Sequence, residues 1–200
     1  MISDGVVDLY EAGVIDCTEK SIDKGKMIVT FLMGTKRLYD FVANNPIIEM
    51  KPVDYVNNPV IVSQCSKMVC INACLQVDFM GQVVSDTIGT RQFSGVGGQV
   101  DFVRGAAMSL DGKAKAIIAM PSIVEKKDGS MISKIVPFIE HGAAVTTNRH
   151  DVDYIVTEYG IAEMKGRTLQ DRARALIKIA HPEFRDELKD EFEKRFHTKF

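Results

Sequence analysis

The chain has 200 residues, of which 46% are hydrophobic and 26% charged, with a formal net charge of −2. That length suits one domain with a sizeable core. The near-neutral balance gives no electrostatic ground for a nucleic acid or an anionic membrane as partner, and no apolar run approaches the roughly 20 residues of a bilayer span.

The opening "MISDGVVDLY" lacks a basic region followed by an apolar core, so no secretory signal is expected. Cys17, Cys65, Cys70 and Cys74 contain no Cys-x-x-Cys pair, and the four histidines do not flank them at finger-like spacing. No metal site is expected on that count. Cys70 and Cys74 fall in an apolar run and on one face of a strand, as buried thiols. A reducing, cytoplasmic location fits them.

The pattern alternates strands and helices along the chain. "KMIVTFLMG" (26–34) reads as a buried strand ended by glycine. "TKRLYDFVANNP" follows as a helix capped by Thr35, with Leu38, Phe41 and Val42 at helical spacing and a stop at Asn45-Pro46. "IIEMKPVDYV", "MVCINACLQVD" and "GQVVSDTI" read as extended, the last two joined by a tight turn near Gly81. A helix is expected through Ala106 and Ala107. Further strands are expected at 115–123, 133–139, 143–147 and 153–160, with "EKKDGS" (125–130) as a hairpin tip.

The last quarter reads as helical. Thr168 with Asp171 resembles a capping box, and Leu169, Ala173, Leu176, Ile177 and Ala180 form one apolar stripe. Pro182 suits the first position of a second helix, along which Phe184, Leu188, Phe192 and Phe196 recur every four residues. With no repeat and no linker, the pattern is that of one mixed α/β domain.

The stretch that looks chemical is "SGVGGQVDFVRGAAMS" (94–109), where Gly95, Gly97 and Gly98 run into a helix. Counted from Gly95, a dinucleotide fingerprint would need a sixth-position glycine, and Val100 stands there; no Gly-Lys-Ser or Gly-Lys-Thr follows for a phosphate loop. Two readings remain. Either the loop is a nest whose backbone N–H groups meet an oxygen that turns negative during reaction, or the glycines supply positive φ to a tight turn.

Asp101 and Arg104, three apart, are expected to pair or cap locally, with Asp101 in the first turn favoured by the helix dipole. Asn148, Arg149, His150 and Asp151 fall in a loop between strands, as a solvated turn or, less readily, as a His150–Asp151 catalytic pair. Glu158, after a strand and before Gly160, either lines a cleft or caps the next turn.

Taken together, "SDGVVDLYEAG", "SGVGGQVDFVRGA", "AMPS" and "AAVTTNRHDVDYIVTEYGIAEMKGRTLQDRARALIKIAHPEFRDEL" resemble the acetyl-CoA hydrolase/transferase family of CoA-transferases, in its C-terminal domain. The branch it most resembles is that of the 4-hydroxybutyrate or butyrate CoA-transferases, and the likeness runs through essentially all of residues 1–200. It implies an α/β fold with an open mixed sheet flanked by helices, in a two-domain enzyme with its active site between the domains. It also implies ping-pong chemistry, in which a glutamate attacks an acyl-CoA thioester and passes through an anhydride to a glutamyl-CoA intermediate.

On that resemblance the glycine loop faces a thioester oxygen. Gly98, with Gly97 beside it, becomes the candidate oxyanion donor, and Leu75, Ser94, Gly98 and Lys126 (or Lys127) the candidate contacts of coenzyme A. No cofactor is expected to stay bound: CoA and acyl-CoA are substrates, with a short-chain carboxylate as acceptor. Expected partners are an N-terminal CoA-transferase domain and further copies of the chain in a homo-oligomer.

The nucleophilic glutamate of the family falls just before the segment that matches "MISDGVVDL", upstream of Met1. The chain alone is therefore expected to be inactive. Gln76 stands where some relatives carry glutamate; an amide forms no anhydride, so it is read as wall. Glu11 and Glu158 match no catalytic position. The other readings are a non-catalytic module that binds CoA or a partner subunit, and a stand-alone acyl-CoA hydrolase.

Overall fold

Short apolar runs interrupted by turn residues give short elements, and the computed structural model, which describes residues 1–200, has many of them. The first third holds α1 (Asp4–Glu11), β1 (Met27–Val29), α2 (Lys36–Val42), β2 (Ile48–Met50), α3 (Val53–Val56) and α4 (Pro59–Val62). Then come β3 (Val69–Ala73), β4 (Gln76–Asp78), β5 (Val83–Val84), β6 (Thr87–Ile88), β7 (Arg91–Gln92) and α5 (Gln99–Ala107). β8 (Lys115–Ala119), β9 (Ile123–Glu125), β10 (Met131–Ser133) and β11 (Ile135–Val136) follow, and β12 (Tyr154–Thr157), β13 (Gly160–Glu163), α6 (Leu169–Lys178) and α7 (Arg185–Phe196) end the chain.

The main sheet has the order β13-β12-β8-β3, with β3, β8 and β12 parallel and β13 an antiparallel edge. Cys70, Ala116, Ile118, Ile155 and Ala162 point to one face and are buried in a single core with Val103 and Ala106 of α5, Leu176 and Ile177 of α6 and Phe192 of α7. The alternation explains the exposure of the other face: Ile71 and Ile161 are 68% and 69% exposed. The expected open mixed sheet is present, with α5 and α6 packed beside it and smaller sheets around it.

Local signals formed as read wherever neighbours in sequence supplied the partners. Thr168 Oγ1 accepts from the Asp171 amide 3.1 Å away and starts α6. Pro182 opens a 3₁₀ turn that leads into α7, with Leu188 and Phe192 buried and Phe184 and Phe196 packed at the core's margin. β4 and β5 pair antiparallel through Gly81 (φ +84°), and β9 and β10 form the hairpin whose tip is residues 126–130. Of the α6 stripe, Leu169 lies at the exposed start of the helix and the other four residues are buried.

Several expectations are corrected by long-range partners. Thr35 does not cap α2 through its own oxygen; its hydroxyl and amide both donate to the Asp4 carboxylate, the stronger acceptor. The first strand ends at Val29, and Leu32 keeps only a bridge to Ile2. Beyond Pro52, whose φ of −66° suits a helix start, residues 53–56 coil into α3 instead of extending. Residues 143–147 form no strand beyond one bridge between Val83 and Thr147, because side chains take their polar groups: Thr87 Oγ1 accepts from the Ala144 amide, and the Thr146 hydroxyl donates to Asp86.

Phe192→Ala, which empties a fully buried aromatic position, should cost about 3–5 kcal/mol of stability. Leu169→Ala should cost less than about 1 kcal/mol, its side chain being partly in water already. Urea unfolding of both variants checks the contrast.

Candidate active site

The glycine loop hangs between two anchors. At its start, buried Asp86 accepts from the Thr146 hydroxyl and from Gln92 Nε2 (3.0 Å), while its carbonyl accepts from the amides of Phe93 (2.7 Å) and Ser94 (3.3 Å). The Thr146 hydroxyl and, after it, Gln92 hold the Asp86 carboxyl below its ordinary value against the opposing effect of burial. At the loop's far end, the buried side chain of Gln99 donates to the carbonyl of Ala73 (2.8 Å) and accepts from Ser85 and Thr147 (both 2.9 Å).

Between the anchors, Gly97 has φ +66° and Gly98 precedes the first turn of α5. The two glycines are required for different reasons. At Gly97 the backbone conformation decides. At Gly98 space decides, because an added Cβ would stand 2.3 Å from Asn57 Nδ2. Asn57 in turn donates to Asp101 (3.1 Å), and Arg104 bonds Asp151 (3.2 Å), so the expected Asp101–Arg104 pair does not form. A helix start leaves its first N–H groups without intrahelical acceptors, and small residues here leave that end of α5 open to an approaching oxygen.

A cleft of about 280 Å³ lies beyond the carboxyl end of β3. Leu75, Ile88, Ile123 and Ile132 give it apolar walls; Gln76, Thr87, Lys134 and Glu140 supply its main polar groups. Lys134, half-buried at the end of the hairpin, donates from Nζ to the Cys74 carbonyl (2.8 Å), and its amide donates to the Ser122 carbonyl (2.9 Å). Burial lowers the Lys134 ammonium from its usual range, with Cys74 and Glu158 acting the other way. Apolar walls with a few placed polar groups are the usual make-up of a small-molecule site.

Beside this cleft, Glu158 accepts from the amide and hydroxyl of Ser122. Burial raises its pKa, but the Ser122 hydroxyl and the amides outweigh that and hold the carboxyl below its ordinary value. It joins the ends of β8 and β12 and borders a shallow depression next to Pro121; it does not cap the next turn, where Thr157 Oγ1 accepts from the Tyr159 amide. The Cys74 thiol is pushed up to about 12 by burial and is no nucleophile near neutral pH. All four cysteines are free, and no group of three or more His, Cys, Asp or Glu side chains is placed to hold a metal ion.

Of the residues expected at a site, Leu75 and Gln76 line the cleft. Gly97, Gly98 and Ser94 lie on the glycine loop, outside the cleft lining, and Ser94 Oγ donates to the neighbouring Gly95 carbonyl (2.9 Å). Lys126 and Lys127 stand exposed at the tip of the hairpin whose base forms a cleft wall. His150 is exposed; Asn148 accepts from its amide and donates to Asp151, a solvated turn and not a catalytic pair. Glu11, at the end of α1, pairs with Arg37 of α2. Lys134, a lysine inside the apolar run "ISKIVP", is a cleft residue that the motifs do not single out.

A family model described as "Acetyl-CoA hydrolase/transferase C-terminal domain" matches residues 34–192. The chain belongs to the acetyl-CoA hydrolase/transferase family. Among curated relatives, a "4-hydroxybutyrate coenzyme A transferase" of Clostridium kluyveri is 60% identical over 98% of this chain and 44% of its own length. A "butyryl-CoA:acetate CoA-transferase" of Anaerostipes caccae is 43% identical over 97% of this chain and 43% of its own. The crystal structure of RipA from Yersinia pestis superposes with TM-score 0.86 at 42% identity, covering 98% of this chain and 43% of that one. The chain thus spans less than half the length of these family members. No helix in it is long and apolar enough to cross a membrane.

Two outcomes test the loop's construction. Gly98→Ala should displace Asn57 and forfeit its bond to Asp101, about 0.5–1.5 kcal/mol, and the same change made on an Asn57→Gly background should cost less; urea unfolding of the double-mutant cycle reads the difference. Asp86, with its folded-state pKa depressed below 3.8, stabilises fully above that value and loses its contribution as pH falls through the depressed one. The melting-temperature gap between the parent and Asp86→Asn should therefore be widest near neutral pH and close in acid.

Proposed function

We propose that residues 1–200 act as the C-terminal half of a CoA-transferase that moves CoA between acetyl-CoA and a short-chain carboxylate such as 4-hydroxybutyrate or butyrate. The observation that carries this reading is the 60% identity, over 98% of the chain, to a protein named for 4-hydroxybutyrate CoA transfer. The apolar cleft at the carboxyl end of β3 supports it. A hydrophobic wall separates acids one carbon apart by only about 1–3 kcal/mol, so acetate, butyrate and 4-hydroxybutyrate form one substrate class.

In this reading a glutamate outside residues 1–200 attacks the thioester carbonyl, and the tetrahedral intermediate expels CoA thiolate to leave an acyl–glutamyl anhydride. The thiolate then attacks the glutamyl carbonyl and releases the first acid. The incoming carboxylate attacks the glutamyl-CoA thioester in the mirror sequence. Gly98, with Gly97 beside it, presents N–H groups to the oxygen that becomes negative in each addition. Leu75, Ser94, Gly98 and Lys126 contact coenzyme A. The apolar sheet face around Ile71 and Ile161 supports the part of the reading in which a partner domain or a further copy completes the enzyme, working in the cytoplasm.

Acyl transfer from acetyl-CoA to butyrate or 4-hydroxybutyrate should be absent for the chain alone and appear when the N-terminal half of a relative is added. Turnover by the chain alone would overturn the external-nucleophile assignment, and CoA release without an acceptor would indicate hydrolysis instead. In the assembled enzyme on an Asn57→Gly background, which removes the steric obstacle at position 98, Gly98→Val should lower turnover by about 10²–10³-fold, far more than it lowers CoA affinity. Equal losses in both would make Gly98 a turn glycine only.

A further inference from the structure

Lys134 is the one cation among the residues that line the 280 Å³ cleft. It forms no salt bridge, and a carbonyl oxygen, that of Cys74 at 2.8 Å, takes one of its three N–H donors. The other polar groups of the cleft are already committed as acceptors: Gln76 Oε1 takes the Glu140 amide (3.0 Å) and Thr87 Oγ1 the Ala144 amide (2.8 Å). Donors are what they leave over, the Gln76 amide nitrogen and the Thr87 hydroxyl hydrogen. Glu140, the one carboxylate among the lining residues, belongs to an exposed residue and makes no ion pair with Lys134. A half-buried ammonium with no ion-paired partner, on which Glu158 acts only from beyond salt-bridge distance, costs free energy that an arriving anion would recover.

The size narrows the choice of anion. A cavity of about 280 Å³ falls just below the roughly 300–1,000 Å³ of pockets for drug-sized ligands, which suits a small acid and not a nucleotide. Its walls of Leu75, Ile123 and Ile132 offer nothing to a second charge. We propose that Lys134 holds the carboxylate of an aliphatic monocarboxylic acid in this cleft, with the hydrocarbon chain covered by Leu75, Ile123 and Ile132. Resting on the transferase reading, this places the acid substrate at the hairpin base, with the glycine loop outside the cleft.

The test compares sodium butyrate with butyramide, its uncharged analogue, by NMR titration of the chain. Butyrate should bind at least about tenfold more tightly, as expected for a hydrogen bond to a charged group. Lys134→Gln should abolish the preference and Lys134→Arg should retain it. In the parent chain labelled biosynthetically with ε-¹³C-lysine, which leaves the ammonium unmodified, butyrate should shift the signal assigned to Lys134 by its loss in Lys134→Arg, a readout taken on the parent itself. An unmoved Lys134 signal, or an undiminished butyrate preference in Lys134→Gln, would overturn the proposal. Transfer activity is scored separately in the assembled enzyme: activity with an undiminished preference in Lys134→Gln sinks the subsite alone. A lost preference without any transfer keeps the carboxylate site and sinks the transferase reading.

Discussion

The buried side-chain amide of Gln99 is the joint on which the candidate site depends. One side chain at the start of α5 binds the last residue of β3, the serine after β5 and the threonine of the 143–147 segment. Of these partners Thr147 is fully buried, and its hydroxyl left unsatisfied would cost about 1–3 kcal/mol. The loop that ends at this joint is free of side-chain bulk at Gly95, Gly97 and Gly98.

A second set of bonds organises the carboxyl ends of the parallel strands, where open α/β sheets place their ligands. Cys74 follows β3, Ser122 follows β8 and Glu158 follows β12. Lys134 bonds the first through Nζ and the second through its amide, and Ser122 bonds Glu158. The hairpin of β9 and β10 is thus tied at its base while its tip, with Lys126 and Lys127, extends into solvent.

What the sequence disclosed follows from where each element finds its partners. The α6 cap needs only residues 168 and 171, and the turn at Gly81 needs only a backbone that glycine tolerates, so both were legible. The 143–147 segment was not. Its alternation is that of a strand, yet its polar groups are taken by Asp86 and Thr87, about sixty residues away in the chain. The Asp101–Arg104 pair failed for the same reason: Asn57 and Asp151, from other elements, offered better geometry. At the site, the glycine loop was visible as composition, but the reason for Gly98 was not, because the obstacle is the side chain of a residue 41 positions earlier.

The sheet itself carries the remaining argument. β3 and β8 read as continuous apolar runs and not as alternating ones, a pattern that belongs to parallel strands buried on both faces. In the structure one face meets α5 and α6, and the other leaves Val69, Ile71 and Ile161 in water. Hydrophobic burial scales with the area removed from water, so those side chains contribute little to this fold as it stands. Their chemistry makes sense for a sheet covered on both sides. On the proposed reading, that exposed apolar face is the one a partner would cover, while the packed face, which holds Cys70, Ile118 and Ile155, is closed by α5 and α6 within this chain.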